Sequence, residues 1–258
     1  MQPEVLIQGQ RKIFRSVHAG LIYDKTDLEK NALQLAERKF GEINVELISS
    51  DRLFELRDDF GILGVLGNRG ATRASDRLDS LNCLKIGFYS GNGSLDAVRR
   101  SLKHLSASII CHRSKSLSEA LASTVFHFYA SLTLPSLLNI DLADVESIAD
   151  GIGVSFNESG NSSDEIIEKL PRESYVAKSA LMHFSCQKDV TLEEVYKITK
   201  TISLRKLADL YQIYAHPGEK KLYKRTKLKM GLRVTDESES SSKKPRISLT
   251  AILFGIKN

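Results

Sequence analysis

Asp141 and Asp144 stand three residues apart, just after the amide of Asn139, in the stretch Asn139-Ile140-Asp141-Leu142-Ala143-Asp144-Val145. Two carboxylates at that spacing can orient and polarise a water, or hold a cation. The same residue types also open a helix. Asp141 can cap one that begins at Leu142, and an acid at Asp144 suits the positive first turn. Both uses are open to the same side chains. Glu119 is a second lone acid: a carboxylate suits two adjacent N–H donors, yet Ser116-Leu117-Ser118-Glu119 is also a capping box. His127 reads as a packed or helix-surface histidine, and no G-x-S-x-G nucleophile motif accompanies it.

The elements that must position these residues follow from apolar periodicity. Val5-Leu6-Ile7 and Ala19 to Tyr23 suit short strands, and Asp27 can cap a helix over 28–39. Ile43 to Ile48 alternates as a strand does. Phe60 to Leu66 is a nearly continuous apolar run, as in a strand covered on both faces. Gly67-Asn68-Arg69-Gly70 then reads as a turn leading into a helix that ends near Ser80. A strand at Leu84–Tyr89, a helix over 94–104 and a strand at Ala107–Cys111 complete an alternation that means a parallel sheet with crossover helices. From Ser116, apolar residues recur at helical spacing through Leu132, and Pro135 ends the pattern.

After a Gly-rich turn at Gly151-Ile152-Gly153 the texture changes to a smaller α+β unit. Strands are expected at Val154–Phe156, Ala177–Phe184, Leu210–Tyr214 and Ile247–Phe254, with helices near 162–170 and 192–204. Thr191-Leu192-Glu193-Glu194 is a capping box for the second helix. The charged stretch 217–246 reads as an exposed loop, mobile at its tip.

Bulk properties narrow the function classes. The net charge of +5 is concentrated between Lys220 and Lys229 and again at Lys243, Lys244 and Arg246. A mildly basic balance is a weak argument for nucleic acid, which is not the expected partner; the Lys220–Lys229 run reads as a solvated loop, with an acidic partner or a membrane surface as the contact it could make. Cys83, Cys111 and Cys186 are scattered, with no CxxC pair, so neither a disulfide framework nor a metal site is expected. A reducing, cytoplasmic location fits. No apolar run reaches the roughly 18 residues that span a bilayer.

Order and spacing together resemble the FtsZ/tubulin superfamily, and FtsZ more than tubulin. Asn139 to Val145 is similar to the FtsZ synergy loop, N-x-D-F-A-D-V, with Leu142 for Phe. The helix before it and Leu134-Pro135-Ser136-Leu137-Leu138 resemble the central helix and its exit loop. Gly151-Ile152-Gly153-Val154 through Asn157-Glu158-Ser159-Gly160 and Asp189-Val190-Thr191-Leu192-Glu193-Glu194-Val195 resemble the family's next turn, strand and helix start. Arg246 to Ile252 resembles its last strand. The likeness covers roughly 60–258 and is best over 116–202.

The resemblance implies an α/β fold: a parallel-sheet nucleotide-binding domain, truncated, over 1–115; a central helix over 116–133; and an α+β C-terminal domain over 134–258, with a charged loop near 217–246. It implies GTP as cofactor and GTPase chemistry, with Asn139, Asp141 and Asp144 acting in trans on a neighbouring subunit's nucleotide. Glu119 is placed where the family reads the guanine edge. The phosphate loop would be Gly67-Asn68-Arg69-Gly70-Ala71-Thr72-Arg73. It departs from G-G-G-T-G-T-G. Gly67, Gly70 and Thr72 remain, while side chains elsewhere obstruct the backbone approach that phosphate needs. Arg69 and Arg73 offer positive charge in its place. The family's first Gly-rich loop has no counterpart. The expectation is a divergent FtsZ-like cytoskeletal protein of cell division or shape control. It forms or joins head-to-tail filaments, with itself or an FtsZ-type filament, and its GTP binding is weak or lost. The alternatives are an active GTPase with an unorthodox phosphate loop, or a non-polymerising adaptor that uses the basic loop.

Overall fold

The computed structural model describes residues 17–24, 31–32, 34, 43, 45–90, 95–111, 117–134, 136–138, 140–170, 178–202, 227–235 and 245–254. The expected strand at Val5–Ile7, nearly all of the helix at 28–39 and the strand at Leu210–Tyr214 lie outside these residues, as do Ser116, Pro135 and Asn139.

The described strands are β1 (Ala19–Tyr23), β2 (Val45–Ser49), β3 (Ile62–Leu66), β4 (Leu84–Ser90), β5 (Ala107–Cys111), β6 (Gly151–Gly160), β7 (Ser179–Gln187), β8 (Lys227–Thr235) and β9 (Ile247–Phe254). They form one sheet in the order β2-β1-β3-β4-β5-β6-β9-β7-β8. Pairing is parallel from β2 through β6 and antiparallel where β9 meets β6 and β7. The helices are α1 (Gly67–Ser80), α2 (Leu95–Ser101), α3 (Leu117–Thr133), α4 (Leu142–Glu146), α5 (Ser163–Lys169) and α6, over residues 192–202. The architecture is the expected α/β one, a parallel-sheet half joined through a long central helix to a smaller α+β half.

Cover on both faces explains why β3 is apolar throughout. Ile62 and Leu66 join a core beneath α3 with Phe88, Ile109, Phe128 and Tyr129. Leu63 and Val65 point the other way, to Ala74 and Leu78 of α1 and Val98 of α2. A third core, built from Phe156, Met182, Phe184 and Leu249, is closed by Ile166 of α5 and Val195 and Ile198 of α6. The α6 start carries its expected box: Thr191 N donates to Glu194 Oε2 at 3.0 Å, and Glu194 N to Thr191 Oγ1 at 3.2 Å.

α3 is unbroken and packs across both halves of the sheet, burying Leu121, Val125 and Phe128 in the core that also holds Leu181, Ile252 and Phe254. Polar contacts fix its register. Thr124 Oγ1 lies 2.8 Å from Ser155 Oγ, and Asn157 Nδ2 donates to Thr124 Oγ1 at 3.0 Å. Thr250 Oγ1 of β9 donates to Asn157 Oδ1 at 2.6 Å. On the other side, the buried Tyr129 hydroxyl donates to Gly20 O of β1 at 2.5 Å.

Three expectations are corrected. Gly67–Gly70 is not a turn before a helix but the first turn of α1, which follows Leu66 with no intervening residue. Gly67 makes the abrupt change possible with φ +75, a region closed to most side chains. Gly151–Gly153 is likewise the start of β6, entered at Gly151 with φ +65. Finally, 217–246 is not loop throughout, because 227–235 is strand β8 paired in parallel with β7. Leu228, Met230, Leu232 and Val234 alternate with Lys229, Gly231 and Arg233, a period-two pattern masked by the surrounding charge.

Candidate functional site

The two groups of candidate residues sit at opposite ends of the parallel strands. α1 begins where β3 ends, so Gly67, Arg69, Gly70, Thr72 and Arg73 belong to the carboxyl end of the sheet. The acids belong to the other end. A methyl built on Gly61, just before β3, would lie 3.3 Å from Leu142 Cδ2, so α4 packs against the entry to that strand. α3, about 25 Å long at 1.5 Å per residue, carries the chain from the β5 exit back to α4.

At the acid end, Asp141 is the N-cap of α4. Its Oδ1 accepts from Asp144 N at 2.7 Å, and Asp144 Oδ2 accepts from Asp141 N at 3.3 Å, a reciprocal box. The other Asp144 oxygen, Oδ1, accepts from Lys229 Nζ of β8. That Lys229 hydrogen bond holds the Asp144 carboxyl below the usual range, aided by the Asp141 backbone and opposed by partial burial. Asp141 itself is exposed. The loop ahead of α4 is pinned to the same strand, with Leu137 N donating to Leu232 O at 2.8 Å and Leu232 N to Leu138 O at 3.0 Å.

At the strand-exit end, Arg73 does not stand open. Its Nη1 lies 2.9 Å from Asp24 Oδ2, just past β1, and 3.1 Å from Asp51 Oδ1, just past β2. Ser50 Oγ donates to the same Asp24 oxygen at 3.1 Å. Asp24 is buried, whereas Arg73 and Asp51 are half exposed. Arg69 and Thr72 are exposed on α1, and Gly67 is partly so. Glu119, in the first turn of α3 after the β5 exit, belongs to the same end of the parallel strands as the α1 start. It lines a polar cleft of about 310 Å³ between α3 and the strands β6 and β9, with Ser123, His127, Asn157, Glu158 and Thr250.

His127 has a partner that the sequence did not reveal. Its Nδ1 lies 3.2 Å from His183 Nδ1 of β7. His183 is almost wholly buried, and burial pushes its imidazole down to about 4, with Arg233 adding to the effect. Asp24, Ser50 and Lys229 were also missed as partners. For Lys229 the alternation of β8 was the available signal. Among the described residues no cluster of three or more His, Cys, Asp or Glu could hold a metal, and no helix is long and apolar enough to cross a membrane.

Comparison with solved structures decides the fold. The chain superposes on FtsZ of M. jannaschii (W319Y mutant) with TM-score 0.64 over 93% of this chain and 92% of that one, at 13% identity. The fold is FtsZ-like. An empty FtsZ dimer from M. jannaschii gives TM-score 0.66 at 12% identity, over 93% of this chain and 88% of that one. TubZ of Bacillus thuringiensis serovar israelensis, in GDP-form protofilaments, gives 0.57 at 10%, over 94% and 85%. No protein-family profile matches the chain. In this FtsZ-like frame, α3 is the central helix, Asp141–Val145 follows its exit, and Gly67–Arg73 opens the helix after β3.

Proposed function

We propose that this chain is a divergent FtsZ-like cytoskeletal subunit that forms or joins head-to-tail filaments in cell division or shape control, with GTP binding weak or lost. Residues 1–115 are then a truncated GTPase-type domain, 116–133 the central helix, and 134–258 the C-terminal domain. One observation carries the reading. The α1 start and the acids of α4 lie at opposite ends of β3, so they can meet only between subunits stacked head to tail. Such a contact is heterologous and propagates as an open filament. The FtsZ dimer and TubZ protofilament structures are assemblies of chains with this fold. Weak nucleotide binding is supported by the absent loop between β3 and α1 and by the pairing of Arg73 with Asp24 and Asp51.

Light scattering and electron microscopy, run beside a calorimetric GTP titration, test this. Polymer without nucleotide is the expected result. Tight guanine-specific binding with turnover would replace it with the GTPase reading, and Glu119→Ala would then be expected to abolish the base preference. Neither polymer nor binding would leave an adaptor acting through the basic 217–246 segment.

A further inference from the structure

The strongest unused feature is the polar cluster at the exits of β1, β2 and β3. In open parallel sheets this crevice is where phosphate groups bind. Here it holds Asp24 Oδ2, with Arg73 Nη1 at 2.9 Å and Ser50 Oγ at 3.1 Å, and Asp51 Oδ1 at 3.1 Å from the same guanidinium nitrogen. Asp24 follows β1, Ser50 and Asp51 follow β2, and Arg73 comes from the helix after β3. One cation therefore ties together three neighbouring strand exits.

We infer that Asp24 is a built-in anion, occupying with Arg73 the place a phosphate would take and holding the strand-exit crevice in one nucleotide-independent shape. This rests on reading the crevice as the altered phosphate site of an FtsZ-like subunit. A buried carboxylate needs its counter-ion, because stripping it leaves a desolvated charge without compensation. A phosphate entering the crevice has to draw Arg73 off Asp24 and incur that cost. It also meets two like charges, Asp24 and Asp51. The tethered carboxylate is permanently present at high effective concentration, whereas free phosphate is not. The nucleotide switch is thus replaced by a fixed contact inside the subunit.

The test is thermal melting of the full chain, and of Asp24→Asn and Asp24→Asn/Arg73→Gln, in about 50 mM inorganic phosphate or in chloride of equal ionic strength. Phosphate strengthens any fold slightly, so the readout is each variant's gain relative to the wild type. Asp24→Asn is expected to melt lower in chloride by roughly 4 °C or more and to recover at least half of that loss in phosphate. The double variant, lacking the cation, recovers none of it. The inference is overturned by Asp24→Asn melting like the wild type, by recovery no greater than the wild type's gain, or by equal recovery in the double variant. Should Asp24→Asn fail to fold, Asp51→Asn, on the exposed side, is expected to show a smaller phosphate-specific gain, and no gain refutes the idea. Melting is read below the protein concentration at which the wild type assembles, so assembly plays no part in this readout. A wild type that forms no polymer removes the filament reading alone, while a polymer whose subunits phosphate protects strongly removes only this one.

Discussion

Lys229 of β8 donates to Asp144 Oδ1 across 85 residues of sequence, and the same carboxylate closes the capping box with Asp141. The acid loop is therefore both a helix start and an anchor to the edge of the sheet.

Both roles make Asp144→Asn informative. Amide for carboxylate keeps the size and an acceptor for Asp141 N but discards the charge that Lys229 faces. Both partners are partly solvated, so the expected loss is about 1 kcal/mol or less in urea unfolding. Asp141→Ala, which removes the cap itself, is expected to cost more, about 1–2 kcal/mol. Assembly should survive Asp144→Asn. If the wild type does hydrolyse GTP, the same variant should lower turnover by a factor on the order of 100, the loss expected for a positioned base. A wild-type turnover lost in this variant would establish the acids as catalytic.

How far these sites were legible depends on whether their determinants are local. β3 and α3 declared themselves because burial on both faces leaves a run without polar interruption, and a core-facing helix leaves its own period. The α4 box was legible because capping acts over three residues. β8 was hidden, since its apolar positions alternate with Lys229 and Arg233 and of them only Leu232 is fully buried, while Leu228 and Val234 are exposed, so composition outweighed alternation. The Asp24–Arg73, Asp144–Lys229 and His127–His183 contacts join distant segments. Nothing local in the chain specifies which cation meets which acid. The resemblance supplied the missing topology for the acid loop, but it pointed to a phosphate loop where the chain has run strand directly into helix.

Tyr129 offers a test of how tightly the central helix is held. Its hydroxyl passes over β3 to Gly20 O, and burial pushes the phenol far above its usual range, so it remains a donor. Gly64 leaves room for it, because a methyl there would collide with the hydroxyl. Tyr129→Phe is expected to cost about 1–2 kcal/mol for the lost buried hydrogen bond. Gly64→Ala should cost about 1–3 kcal/mol or more through overpacking. Chemical denaturation of the two variants checks both, and a double variant losing less than the sum would confirm that they share one space.

His183 predicts an acid-side stability profile. Its folded value lies near 4, against 6.5 for the free imidazole. A base with a depressed value binds its proton better when unfolded. Its contribution is therefore complete above 6.5, falls as pH drops, and is exhausted below about 4. That contribution is on the order of 3 kcal/mol, with about 2 kcal/mol gone by pH 5. Urea midpoints at pH 7 and pH 5 should differ accordingly, and His183→Gln should shrink the difference. Asp144, whose value is lowered, adds a loss only near and below the ordinary carboxylate range.

The head-to-tail geometry makes a prediction that no symmetric dimer would satisfy. Arg69 is exposed at the α1 start and Glu146 is exposed on α4, at opposite ends of β3. Arg69→Glu should spoil one end of the subunit by charge reversal and Glu146→Trp the other by bulk, each at an exposed position and at little cost in stability. Each variant alone should sediment as short species, because every contact needs one intact end from each partner. Mixed one to one, the intact end of one variant can meet the intact end of the other, but both remaining ends are spoiled. Analytical ultracentrifugation should then show growth to pairs and no further. Long polymer in the mixture would mean that the ends chosen do not form the contact. Pairs formed by either variant alone at wild-type strength would show an isologous interface and refute head-to-tail assembly.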